Sequence, residues 1–164
     1  MAVVDKYANA DLENGKLGAA ANVAGNKVVT SVVSFGVANG DSANSVYRVF
    51  PNLNPCLIPV SIEIINTAAT GANDVDLGLY EGEKGAVIDK DCLLDGGTIA
   101  TAHAKGAGLD GLASVAVADI GKQLFELAGH TIANRKDTYD IALTLNAAAT
   151  AAGTVTVIGT FVQG

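Results

Sequence analysis

The chain has no tryptophan, four tyrosines, four phenylalanines, one methionine, two cysteines and three prolines in 164 residues. Each scarcity excludes something. Ten basic residues face seventeen acidic ones, a net charge of −7. Nucleic-acid binding draws on a basic stripe that neutralises phosphates. The close basic residues here are ordinary: Arg135 beside Lys136, and Lys84 and Lys90 within an acidic stretch. No nucleic-acid partner is expected. Cys56 and Cys92 are too few for a disulfide scaffold, and their spacing does not say whether they pair. Isolated thiols of this kind suit small buried hydrophobes in a reducing compartment. The start, Met-Ala-Val-Val-Asp, has no basic region followed by an apolar run, so no signal peptide is expected. Residues 142–162 are the one apolar stretch of membrane length. They alternate and contain Asn146, five threonines and two glycines, which reads as strands and not as a membrane span.

What the chain has instead is small residues: 28 alanines and 19 glycines. Hydrophobic residues reach 49% and charged ones 16%, too apolar for a disordered protein and enough for one packed domain. Residues 1–25 stand apart. They are rich in Ala, Asn and Gly, with apolar residues widely spaced, and read as an N-terminal arm. A helical turn is allowed at 7–13. The arm's apolar residues Val3, Val4, Tyr7, Leu12 and Leu17 are the candidate contacts with another subunit.

Residues 26–164 read as a single β-sandwich domain. Residues 27–37 (KVVTSVVSFGV) are β-branched on both faces, as in a strand covered on both sides. Residues 45–50 form a second strand, and all three prolines follow at 51, 55 and 59, marking an edge or an irregular crossing. In 60–66 Val60, Ile62 and Ile64 point inward; in 74–81 Val75, Leu77 and Leu79 do, with Asp74, Asp76, Gly78 and Tyr80 opposite. Residues 88–94 are expected to be a short helix or turn, and 98–104 and 112–118 strands. Residues 119–129 are expected to form the one helix, with Asp119 as N-cap and Gly129 in the left-handed position that ends it. Two alternating strands at 139–145 and 154–162 flank a small-residue hairpin loop at 146–153. The expected fold is mainly β: an antiparallel, jelly-roll-like β-sandwich with one short α-helix and an N-terminal arm.

Chemistry-bearing patterns are few. GAGLDG at 106–111 matches a dinucleotide-binding glycine pattern literally. It lacks the strand–loop–helix setting and the acidic residue about twenty positions on, so it reads as a surface loop. The carboxylates between Asp74 and Asp95 raise calcium as a thought, without calcium-loop spacing, and read better as a solvated face. His103 and His130 sit in no zinc pattern, and no local signature joins a cysteine to either. No catalytic residue, metal or cofactor is assigned, and the chain is not expected to be an enzyme.

Five strings then converge in order: SVYRVF at 45–50, DVDLGLY at 74–80, QLFELAG at 123–129, YDIALTL at 139–145 and GTVTV at 153–157. In this order they resemble the capsid decoration, or cement, proteins of tailed bacteriophages, over residues 26–164. The resemblance implies a structural virion protein on the capsid exterior, assembled in the bacterial host cytoplasm. It implies binding to the outer surface of major capsid protein subunits and self-association as a homodimer or homotrimer. It implies neither a nucleic-acid nor a membrane partner. The alternative is a ligand- or receptor-binding β-sandwich, for which four tyrosines and no tryptophan are thin material. A strand-donating fibre subunit is a further reading.

Overall fold

Alternating β-branched runs separated by turns produce two sheets packed face to face in the computed structural model, which describes residues 3–8 and 28–164. The strands are β1 (Asp5–Tyr7), β2 (Val28–Val37), β3 (Val46–Leu53), β4 (Leu57–Asn66), β5 (Val75–Glu81), β6 (Val87–Gly97), β7 (Leu109–Asp110), β8 (Tyr139–Leu145) and β9 (Gly153–Gln163). One sheet has the order β1-β3-β8-β5-β6 and the other β2-β9-β4-β7. Apart from the β5–β6 hairpin, successive strands lie in opposite sheets, as in a jelly roll. Every pairing is antiparallel except β1 with β3. The fold class is the one the alternation predicts.

The core lies between the sheets. Phe35 stacks on Tyr47 at 4.9 Å, and Phe50 meets Phe161 edge-on at 5.3 Å, each pair joining one sheet to the other. Such pairs add about 0.5–1.5 kcal/mol beyond the area they bury. The Tyr47 hydroxyl donates to Asp41, whose carboxylate also accepts the Ala38 amide and so fixes the β2–β3 turn.

Several local expectations change. Residues 146–153 are no hairpin: β8 and β9 belong to different sheets, and the segment crosses the sandwich, with Thr150 N donating to Thr70 O at 2.7 Å. Residues 88–94 are strand β6, because pairing with β5 outweighs a weak local preference. Residues 98–104 make only a bridge at Asn66 and His103, and 112–118 are turns; the strand nearby is Leu109–Asp110. The helix is one turn, α1 (Leu124–Leu127), capped by Gln123 with a reciprocal Glu126 bond. Asp119 ends a 3-10 turn and pairs with Lys122, and Ile120 is exposed because no neighbouring layer covers it. Gly129 ends the helix with φ 71°, as expected. Val60 points outward: a bulge between Pro59 and Ser61 reverses the alternation, so Pro59 and Ile62 are inside.

The five-stranded sheet is unusual in burying polar groups on its outer face, and Arg48 is the centre of it. Arg48 is 1% exposed. Its Nε and Nη2 grip Asp5 of β1 at 3.0 and 3.2 Å. Its Nη1 donates to Asp140 of β8 at 2.9 Å and to the Glu81 carbonyl at 3.2 Å, and its Nη2 to the Gly85 carbonyl at 2.9 Å. All five donors of a guanidinium are used. Tyr80 lies against it at 5.0 Å. Asp140 also accepts the Asn52 amide at 2.7 Å, yet burial still pushes its carboxyl up against the pull of Asn52 and Arg48.

Further along that face, β6 bulges and its Asp89–Lys90 backbone crosses β5 at Gly78. A Cβ on Gly78 would stand 2.2 Å from the Asp89 carbonyl oxygen, so the crossing requires glycine there. The bulge also packs Cys92 against the core, and burial, with Asp89 nearby, pushes its thiol up to about 12.

Three outcomes follow from these contacts. Arg48→Met strands Asp140 in the interior and is expected to cost about 3–5 kcal/mol in urea unfolding. Asp5→Ala removes a partner that is 46% exposed and should cost only about 1 kcal/mol. Equal losses would contradict the dominance of the buried pair. Burial raises the phenols of Tyr7, Tyr47, Tyr80 and Tyr139 above the ordinary value of 10.0. Folded-state values above unfolded ones give stability that is complete below the unfolded value and lost as pH climbs through the folded ones. Phenolate absorbance should therefore stay low in the native protein past pH 10.0 and appear together with alkaline unfolding; independent titration of native phenols near 10.0 would contradict this. Finally, Cys92 should resist maleimide at mildly alkaline pH and label fully after denaturation. Native labelling as fast as that of the denatured chain would contradict its burial.

Candidate docking surface

The outer face of the four-stranded sheet differs from the rest of an acidic molecule. Residues aligned across β2, β9 and β4 form rows: Val28–Val162–Ile58, Thr30–Thr160–Ser61, Val32–Ile158–Glu63 and Ser34–Thr156–Ile65. Glu63 is the single charged residue in these rows, and its carboxylate accepts the Gly106 amide. The hydroxyls pair across strands, Thr30 with Thr160 at 3.2 Å and Ser34 with Thr156 at 2.7 Å. Val28 and Val32 are 66% and 60% exposed. Among the described residues β2 is not covered on both sides, contrary to expectation: the inward face of Val33, Phe35 and Val37 is buried and no described segment lies over the other.

The face continues into a groove of about 600 Å³ between β4 and the loops before α1, with Ile58, Val60, Leu112, Ile120 and Val162 in its wall. Val60 is 55% exposed and Ile120 71%. Asp110 and Asp119 stand on its rim, with Lys122 held by Asp119. Ser61 is the one hydroxyl in this lining, and the rest of it is mostly apolar. The arrangement can bury apolar and hydroxyl surface of a partner, which is a binding chemistry.

The arm residues lie elsewhere. Val3 is exposed, Val4 is half-buried and donates its amide to Ser45 Oγ, and Tyr7 is half-buried with Lys84 Nζ 4.9 Å from its ring. The structure thus brings Val4 and Tyr7 along β3 of their own chain, with Val3 exposed beside them. Leu12 and Leu17, with most of the 7–13 turn, lie outside the described residues. The nearly uncharged sheet face was legible as alternation at 27–37 and 154–162; its exposure among the described residues was not.

The other candidates take structural parts. In the glycine loop, the Gly106 and Gly111 amides tie back to Glu63 and Ile62 of β4. Asp76, Asp91 and Asp95 bring carboxylate oxygens within 4.8 Å of one another. Asp76 is 1% exposed, not on a solvated face, because Lys90 pairs with it at 3.1 Å and Asn146 and the Gly96 amide donate to it. Lys90 therefore already supplies the positive charge at that point. His103 bonds Asn66 at 2.9 Å and His130 bonds the Tyr139 hydroxyl at 2.6 Å. Both cysteines are free, and Cys56 accepts a bond from Arg135 at 3.2 Å. Among the described residues, no helix is long and apolar enough to cross a membrane.

No family profile and no curated protein matches the chain. Two solved structures are similar to it. One chain of the Cyanophage Pam1 capsid asymmetric unit superposes with a TM-score of 0.55 at 17% identity, covering 90% of this chain and 93% of that one. One chain of the capsid of Ralstonia phage GP4 superposes with a TM-score of 0.55 at 16% identity, covering 87% and 88%. At that identity the likeness is one of fold, and over most of its length this chain shares its fold with chains from two bacteriophage capsids.

Proposed function

We propose that this protein is a structural component of a bacteriophage virion that decorates the capsid exterior. It stabilises the shell by binding the outer surface of major capsid protein subunits, after assembly in the host cytoplasm. The observation that carries this reading is the open, nearly uncharged outer face of the β2–β9–β4 sheet and the groove beside it, on a fold shared with capsid chains. A surface of valine, isoleucine, threonine and serine lets another backbone approach closely and releases water without stranding charge. Repetition over a lattice multiplies a modest contact through avidity. The role is structural and uses no catalytic residue.

The ligand- or receptor-binding alternative draws less support. Tyr47, Tyr80, Tyr139, Phe35, Phe50, Phe125 and Phe161 are all buried, and Tyr7 is half-buried beneath Lys84. Among the described residues this leaves no aromatic platform.

The test mixes purified protein with undecorated, expanded capsids of its own phage and measures co-sedimentation. Saturable, stoichiometric binding is expected. Val60→Lys places a charge in the groove at a side chain outside the core, and should weaken binding about tenfold or more with an unchanged melting temperature. Absence of binding to those capsids would overturn the proposal.

A further inference from the structure

Among the described residues, four strands end the two sheets: β1 and β6 in one, β2 and β7 in the other. An open strand edge is a template for pairing, and folded proteins blunt such edges with shortness, charge, proline or bulges. Three of these edges are blunted. β1 has three residues and β7 two. β6 carries Asp89, Lys90, Asp91 and Asp95, and its register with β5 shifts at three places. β2 is the exception. It runs ten residues with no charge and no proline, and pairs with β9 in unbroken register from Val28 to Val37. At about 3.4 Å per residue it offers an edge of about 34 Å.

The pattern along β2 also says what fits it. In an antiparallel pair, residues directly opposite share a face of the sheet. A second β2 that keeps both cores on the same side of a joined sheet must therefore be centred on a residue, not between two. Centring on Val32 sets Val32 against its own copy, Thr30 opposite Ser34 of the second copy, and Val28 opposite Gly36. Valine then meets valine and hydroxyl meets hydroxyl. Thr30 already bonds Thr160, and Ser34 already bonds Thr156. The row Thr160–Thr30 of one copy would continue into Ser34–Thr156 of the other. Moving the centre by one residue either way sets Val32 or Val28 opposite a hydroxyl and breaks this match. No charge along β2 selects a partner of opposite sign, so self-complementarity is the recognition it carries.

We propose that β2 pairs antiparallel with β2 of a second copy about a two-fold axis at Val32, joining two four-stranded sheets into one continuous sheet. The contact closes on itself and hides the one unblunted edge. It leaves the groove at Val60 and Ile120 open on each copy, so the dimer presents that groove twice.

The test uses the full chain alone, without capsids, so its outcome is separate from that of the decoration proposal. Light scattering or sedimentation at tens of micromolar should give about twice the 16.5 kDa chain mass. Val32→Lys sets two ammonium groups opposite each other at the axis, about 5 Å apart at Cβ, and should weaken the dimer roughly 100-fold or more. A second variant reads the register without burdening the fold. Val32→Cys lies against itself and should form a covalent dimer under mild oxidation. Val28→Cys lies opposite Gly36 and should cross-link no faster than wild type. Val60→Lys should stay dimeric even where it no longer binds capsids. A monomeric wild type would overturn the proposal, as when residues 9–27 of the same chain or a strand of another protein fills the edge. So would cross-linking of V32C no faster than that of V28C.

Discussion

A guanidinium group almost wholly removed from water holds four segments of this chain together. Arg48 sits on β3 and reaches β1 through Asp5, β8 through Asp140, and the β5–β6 hairpin through the Glu81 and Gly85 carbonyls. Burying such a charge is costly, and the cost is offset by the acceptors around it, the interior Asp140 above all. The surrounding structure is arranged accordingly. The hairpin turns through Glu83 and Lys84 in left-handed conformations, which keeps its carbonyls within reach, and Asn52 steadies both the turn and Asp140. The first described residues join the sheet as a parallel strand because Asp5 completes the guanidinium's set.

This polar centre divides the molecule into two sheets of opposite character. The five-stranded sheet is closed on both faces: apolar residues inside, and outside a network of Arg48, Asp140, Tyr80, Thr144, Asp76 and Lys90 beneath the bulge of β6. Among the described residues, the four-stranded sheet is closed on one face only. Its outer rows of valine, isoleucine, serine and threonine carry a single charge, Glu63, on a chain of net −7. Among the described residues, this sheet thus has one nearly uncharged face and, at β2, one long edge without charge or proline. The groove and the β2 edge are distinct parts of that surface, one facing outward and one lateral, so both can be occupied in one assembly.

Period-two alternation in 27–37, 60–66, 74–81, 139–145 and 154–162 marks five of the long strands, and the class of fold follows from it. It fails where a local pattern competes with partners far away in sequence. Residues 88–94 have the look of a short helix or turn and become strand because β5 offers an edge. Residues 119–129 have helical spacing, but only Leu124, Phe125, Leu127 and Ala128 pack against the core, and the helix is a single turn. Val60 breaks its own alternation because Pro59 cannot donate to the ladder and the strand bulges. The arm residues were visible as a composition change, yet Asp5, the residue that docks, carries no local sign of Arg48 forty-three positions away.

By itself the sequence determined which runs are extended, which side of most of them is apolar, and that no familiar catalytic or metal pattern is present. Those properties are local: a two-residue period and residue chemistry suffice for them. Only the tertiary structure decided which strands pair, which apolar faces are covered and which stay open, and that Arg48 and Asp140 are interior partners. Strand order and burial depend on contacts between residues distant along the chain. In a sandwich whose successive strands lie in opposite sheets, no neighbouring segment carries that information.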